Sequence, residues 1–114
     1  MGKYQLGEFE EIVMLTVAVL HGDAYGVSIK KDIESRLERK VSVGALQSSL
    51  KRLEHKGYLT AKEGESTSER GGRPKRYFEV TASGKMAIEA TKEIRNQLWS
   101  AIPKVVLDLK VQLL

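Results

Sequence analysis

Cysteine is missing from this chain of 114 residues. Disulfides and thiolate chemistry are therefore excluded, and a reducing compartment is the simpler home. Histidine is scarce as well. His21 and His55 lie far apart in the pattern, and without cysteine no recognisable metal-ligand spacing forms, so no metal site is expected. No long hydrophobic run is present. The longest, residues 12–20, spans about half of the ~20 residues a membrane helix needs, and Thr16 interrupts it. The N-terminus lacks the charged, apolar and small-residue succession of a secretory signal. A soluble, cytoplasmic protein with no membrane partner is the expectation. A phosphate-cradling G-x-x-x-x-G-K-[ST] loop is missing too, and the carboxylates fall mostly on helix surfaces, so neither an enzyme nor a cofactor is expected.

Apolar and charged residues are present in ordinary proportion, at 41% and 30%, which argues against global disorder and suits one modest core. The formal charge of +4 favours an acidic partner only weakly; its distribution says more. The first 23 residues hold four acids, Glu8, Glu10, Glu11 and Asp23, whereas the run Glu69-Arg70-Gly71-Gly72-Arg73-Pro74-Lys75-Arg76-Tyr77 is almost wholly basic. That asymmetry points to a local binding surface.

Periodicity divides the chain. Residues 6–20 form a first helix, with Phe9, Ile12, Val13, Thr16, Val17 and Leu20 at steps of three and four, closed by Gly22. Its β-branched run would also suit a buried strand, but its length and acidic start favour a helix. Asp23 is the expected cap of a second helix with the face Tyr25, Ile29, Ile33 and Leu37. Ser42 caps a third, in which Val43, Leu46, Leu50 and Leu53 form one seam and Gly57 ends the helix. The opposite face presents Gly44, Ser48, Lys51 and His55, flanked by Gln47 and Arg52. Residues 58–63 and 75–80 read as strands joined by a loop whose tip is Gly71-Gly72, because paired glycines supply positive φ at no steric cost. Thr81 caps a fourth helix over residues 82–102, which Pro103 should end.

The expected fold is α+β, mainly α: a winged helix-turn-helix (three helices and a two-stranded wing) over residues 1–80, with a C-terminal dimerisation helix and tail over residues 81–114. On the third helix, Ser42 and the free N–H groups of the helix N-terminus suit a phosphate. Gly44 and Ala45 lack bulk and would let the helix sit deep in a major groove. Gln47 and Ser48 are candidate base readers, while Lys51 and Arg52 are candidate phosphate clamps. Arg52 has a rival role as partner of an acid such as Glu54 or Glu34. From the wing, Arg70, Gly71, Gly72, Arg73, Lys75 and Arg76 would follow the backbone or minor groove. Tyr77 alternates with these cations and reads as core. On the fourth helix, Ala87, Thr91, Ile94, Leu98 and Ile102 form a stripe that Ile88, Arg95 and Trp99 widen to roughly half the circumference. One small domain cannot cover so broad a face, so a homodimer is expected.

Several spaced motifs resemble the PadR family of transcriptional regulators. They are Gly7-Glu8-Phe9-Glu10-Glu11-Ile12-Val13-Met14-Leu15, Ala24-Tyr25-Gly26-Val27-Ser28-Ile29, Ser42-Val43-Gly44-Ala45-Leu46 and Leu50-Lys51-Arg52-Leu53-Glu54-His55-Lys56-Gly57. The wing run from Glu69 to Phe78 and Val80-Thr81 with Gly84 complete the match, in register from about residue 7 to 84. Gln47 departs from the tyrosine usual at its position in the family, although a glutamine can bond adenine N6 and N7 bidentately. The length resembles the short PadR type. The resemblance implies a DNA-binding repressor that dimerises through its last helix on a pseudo-palindromic operator and is released by a small, often aromatic, effector. Trp99 is the residue that would stack on such a compound, against the plainer reading of interface packing. The alternative from another class is a winged-helix module that docks an acidic protein partner through its basic loop.

Overall fold

The structure is a computed structural model that describes residues 5–66 and 74–111. Helix α1 (Glu8–Val19) begins where Glu10 turns back to accept a hydrogen bond from the Gly7 N–H at 3.1 Å. Its Val13, Met14 and Val17 are the centre of the core. Helix α2 (Gly26–Leu37) follows a tight connection and contributes Ile29 and Ile33. Asp23 does not cap it with its side chain, as the sequence suggested. The hydroxyl of Ser28 accepts from the Tyr25 N–H at 2.9 Å and donates to the Asp23 carbonyl at 2.6 Å, so the cap is built from inside the helix. Leu37 lies outside the core, with 47% of its surface exposed.

Helix α3 (Val43–His55) starts as expected, with the Ser42 hydroxyl accepting from the Ala45 N–H at 3.0 Å. The seam differs by one residue. Val43 is 61% exposed, while Leu46, Ser49, Leu50 and Leu53 are buried. Val43 lies about 60° from Leu46 around the helix, which takes it past the edge of the buried arc. Gly57, at φ +80°, closes α3, and the Tyr58 N–H reaches back to the Leu53 carbonyl at 2.9 Å.

Strand β1 (Leu59–Ser66) and strand β2 (Pro74–Val80) pair antiparallel, with Leu59 opposite Val80, Ala61 opposite Phe78 and Glu63 opposite Arg76. The register shifts between Glu63 and Ser66, so β1 runs further than the expected end at residue 63. The Phe78 N–H donates to the Ala24 carbonyl at 2.7 Å, which ties the hairpin to the segment before α2. Gly71 and Gly72, the expected hairpin tip, lie outside the described residues.

Thr81 joins three elements. Its hydroxyl accepts from the Gly84 N–H at 3.0 Å, capping helix α4 (Ala82–Ala101), and donates to the Gly57 carbonyl at 2.6 Å. Gly84 is where α4 touches the body of the fold. A Cβ there would meet the Tyr58 carbonyl oxygen and stand 2.8 Å from the Met14 methyl, so the close approach requires glycine. Gly84 and Ala87 are buried, Ile88 and Thr91 are half-buried, and residues 92–101 are all exposed. Helix α4, about 30 Å long, therefore packs with its first half and overhangs with its second. Pro103 ends it, and a short helix α5 (Lys104–Leu107) follows.

Candidate nucleic-acid interface

The burial of Leu46, Leu50 and Leu53 decides which side of α3 faces out. Gly44, Ser48, Lys51 and His55 fall within an arc of about 60° opposite that seam, and all four are exposed. A Cβ at Gly44 would meet nothing within 4 Å, so the backbone there is open to an incoming surface. Ala45 is exposed on one flank of the arc and Gln47 on the other. The Gln47 amide nitrogen lies 3.2 Å from where a Gly26 Cβ would stand, so the side chain rests over the first turn of α2. Gln47, Ser48, Lys51 and His55 form one wall of an open groove whose other wall carries Arg76 and Phe78 of β2. The third helix and the wing thus share one open groove, as expected of the fold.

The cations divide into those the fold uses and those it leaves. Arg76 was expected to reach DNA from the wing. Instead its guanidinium forms a two-pronged pair with Glu54 of α3, at 2.7 and 2.9 Å. Strand alternation is the cause, since Arg76 shares the α3-facing side of β2 with Phe78. Arg76 is a strut between wing and helix. Lys75 points the other way, with its ammonium 4.3 Å from the centre of the Tyr25 ring. Tyr77, on the same side, is half-buried edge-on to Tyr25 at 5.5 Å, in keeping with a packing role.

Arg52 likewise departs from the phosphate clamp expected of it. Its Nε lies 3.4 Å from Glu10 and a terminal nitrogen 3.2 Å from the Ser49 hydroxyl. The acid that holds it is on α1, not Glu34 or Glu54. Glu34 is occupied by Lys30 and the Val41 N–H, and Glu54 by Arg76. Among the described residues Lys51 is the cation of the outward arc, and no acid there holds it. Ser42 spends its acceptor on the helix cap and keeps its hydroxyl proton for another partner. Arg70 and Arg73 lie outside the described residues, with Gly71 and Gly72.

Glu10, which braces α3 from behind, is the residue near the candidate site that the sequence pattern did not reveal. It was read as one of several helix-start acids, yet it is buried and receives Lys56 at 3.1 Å in addition to Arg52. Burial pushes its carboxyl up, but the Gly7 N–H, Lys56 and Arg52 together outweigh this and hold it below the ordinary 4.5. Its two cations lie 42 and 46 positions away, so no local pattern signals them.

The stripe on α4 splits in two. Ala87, expected at a dimer contact, is fully buried in its own core, because Gly84, one turn earlier, brings the helix against Met14 and Tyr58. Ile88 packs on the same core, and the Thr91 hydroxyl donates to the Ala87 carbonyl at 2.9 Å. Beyond them the stripe continues uncovered. Ile94, Leu98 and Trp99 are 59%, 66% and 66% exposed, Ile102 is half-buried, and Arg95 pairs with Glu11 of α1 at 2.8 Å. Among the described residues no three His, Asp or Glu side chains gather as a metal site. No helix there is long and apolar enough to cross a membrane.

Three helices, a hairpin packed on the third, and an exposed face of that helix beside the hairpin define a winged helix-turn-helix of the kind used by transcription regulators. The sequence profile of the transcriptional regulator PadR-like family matches residues 14–90, more than half of the chain, and the chain belongs to that family. Solved structures agree. A PadR-like transcription factor from Bacteroides fragilis shares 26% identity, with a TM-score of 0.68 over 81% of this chain and 84% of its own. A PadR family regulator from Clostridium difficile shares 25% identity, with a TM-score of 0.63 over 83% of this chain and 97% of its own. One from Eggerthella lenta, at 21% identity and TM-score 0.66, covers 90% of this chain and 88% of its own, and is a likeness of fold. No curated protein matches the chain.

Proposed function

We propose that this protein is a homodimeric, sequence-specific DNA-binding regulator that acts as a repressor. The observation that carries the reading is the outward arc of α3, small at Gly44 and polar or cationic at Ser48 and Lys51, standing clear of the chain beside the wing. In a major groove, Gln47 and Ser48 would face base edges, and Lys51 and the α3 N-terminus would meet phosphates. Arg70, Arg73 and Lys75 would follow the backbone. The overhang of α4, with Ile94, Leu98 and Trp99, would pack on its counterpart in a second copy and set two reading helices one helical turn apart. Residues 81–114 then serve as the dimerisation unit on a DNA-binding body of residues 1–80. Trp99 is the natural place for a small aromatic effector, whose binding at the dimer contact would respace the two helices and release the operator.

Selection of bound duplexes from a random pool at physiological salt tests this reading, with a dyad-symmetric motif as the expected product. A pool that yields no motif would leave a basic winged helix and turn the search to protein partners. Gly44→Ala sharpens the test. With nothing near its Cβ, the variant should be as stable as the parent or gain up to about 1 kcal/mol from helix propensity. Its affinity for the selected duplex should nevertheless fall. A stabilised variant with unchanged affinity would take α3 out of the groove.

A further inference from the structure

The first turn of α1 carries three carboxylates, and each takes its cation from a different part of the fold. Glu8 pairs with Arg39, in the connection between α2 and α3, at 3.4 Å. Glu10 pairs with Arg52 at 3.4 Å and Lys56 at 3.1 Å, both on α3. Glu11 pairs with Arg95 of α4 at 2.8 Å. The Glu10 and Glu11 side chains keep only 11% and 15% of their exposure, so both are seated in the fold, unlike Glu8. A carboxylate so placed requires partners, and the positive end of the α1 dipole adds to their pull.

Arg95 stands where α4 leaves the body of the domain, one turn beyond half-buried Thr91 and at the base of the exposed stretch of residues 92–101. Its pair with Glu11 therefore bears on the direction in which the overhang departs. The next carboxylate along, Glu10, holds the reading helix through Arg52 and Lys56. Adjacent residues of one rigid helical turn thus grip α4 and α3.

We propose that Glu10 and Glu11 act together as a positioning device that fixes the overhang of α4 relative to α3, and through it the spacing of the two reading helices on the operator. The inference rests on the reading of α4 as dimer contact and α3 as DNA reader. Reading helices in successive major grooves stand ~34 Å apart, and one base pair of spacer changes that separation by ~3.4 Å. The direction in which the overhang leaves its base therefore bears on the half-site spacing the dimer accepts. A loosened joint would show itself as tolerance of altered half-site spacing.

The experiment uses the full-length protein and the selected operator, with its central spacer intact or changed by one base pair in either direction. The parent should discriminate against the altered spacers by at least about tenfold. Glu11→Gln, which keeps the side-chain shape and removes the charge, should cut that discrimination to about threefold or less. Its dimer dissociation constant, its affinity for a single half-site and its thermal midpoint should stay near the parent's. Arg95→Gln should relax spacing to the same degree, and the double variant should do no more than either single change. Parental discrimination retained in Glu11→Gln, or additive effects in the double variant, would overturn the inference and leave the dimeric reading intact. A parent indifferent to spacing would overturn both.

Discussion

At the scale of single residues, buried charge is what distinguishes this fold from its sequence pattern. Glu10 accepts from the Gly7 N–H, Lys56 and Arg52, and its folded carboxyl lies below the ordinary 4.5 although burial alone would raise it. The folded state then binds fewer protons than the unfolded chain in the acid range. The stability Glu10 contributes is complete above the unfolded value and is lost as pH falls through the lower folded one. Glu34, held low by the Val41 N–H and Lys30, and Glu79, held low by Lys62, act in the same direction. Urea unfolding between pH 7 and pH 3 should show stability declining below about pH 4.5. Glu10→Gln should be about 1 kcal/mol less stable at pH 7 and should decline less steeply in acid. Parallel acid limbs in the two proteins would remove Glu10 from this account. The pairing of Glu10 with Arg52 and Lys56 was not legible in sequence, since both lie more than 40 positions away. The Glu54–Arg76 pair was hidden for the same reason, and a basic run was read as wholly DNA-facing when strand alternation turns one of its cations inward.

Helices and strands were legible where local chemistry decides them. Ser42 and Thr81 cap the helices assigned to them, Gly57 turns the chain out of α3, and Pro103 follows the end of α4. Errors arose where the outcome depends on the neighbour an element meets. Asp23 had the right chemistry for a cap, but Ser28 supplied it from within α2. Val43 had the right polarity for the seam, but the arc that α1 and α2 cover ends before it, and Ser49 is buried instead. The two correctly placed caps differ in what else they hold. Among the described residues the Ser42 hydroxyl makes one bond, accepting from the Ala45 N–H, whereas the Thr81 hydroxyl caps α4 and also donates to the Gly57 carbonyl where α3 ends. Ser42→Ala should cost about 1 kcal/mol. Thr81→Ala should cost about 2 kcal/mol, because a second, interelement bond goes with the cap. Thr81→Ser should restore most of that loss. Equal costs in denaturant unfolding would mean the bond to Gly57 contributes little.

For the whole molecule, the decisive feature is an apolar stripe that does not stop where the domain does. Ala87, Ile88 and Thr91 spend its first half on their own core, and Ile94, Leu98 and Trp99 carry the same stripe into solvent. The sequence displayed the stripe but not the division, because helical periodicity is blind to where neighbouring elements end. Val105, Val106 and Leu107 of α5, which follows the overhang in the chain, add further exposed apolar surface, more than scattered surface hydrophobics would explain. The division makes the dimer reading testable without damage to the fold. Leu98 has no core contact to lose, so Leu98→Glu should leave the thermal midpoint of the isolated subunit unchanged. Placed at the centre of the overhang, the charge should shift sedimentation from dimer to monomer. With the two reading heads unlinked, affinity for a dyad operator should fall by on the order of 10²-fold, while single half-site binding persists. If Leu98→Glu sediments as a dimer with full operator affinity, the contact lies elsewhere, and the exposed face of α5 becomes the surface to mutate next.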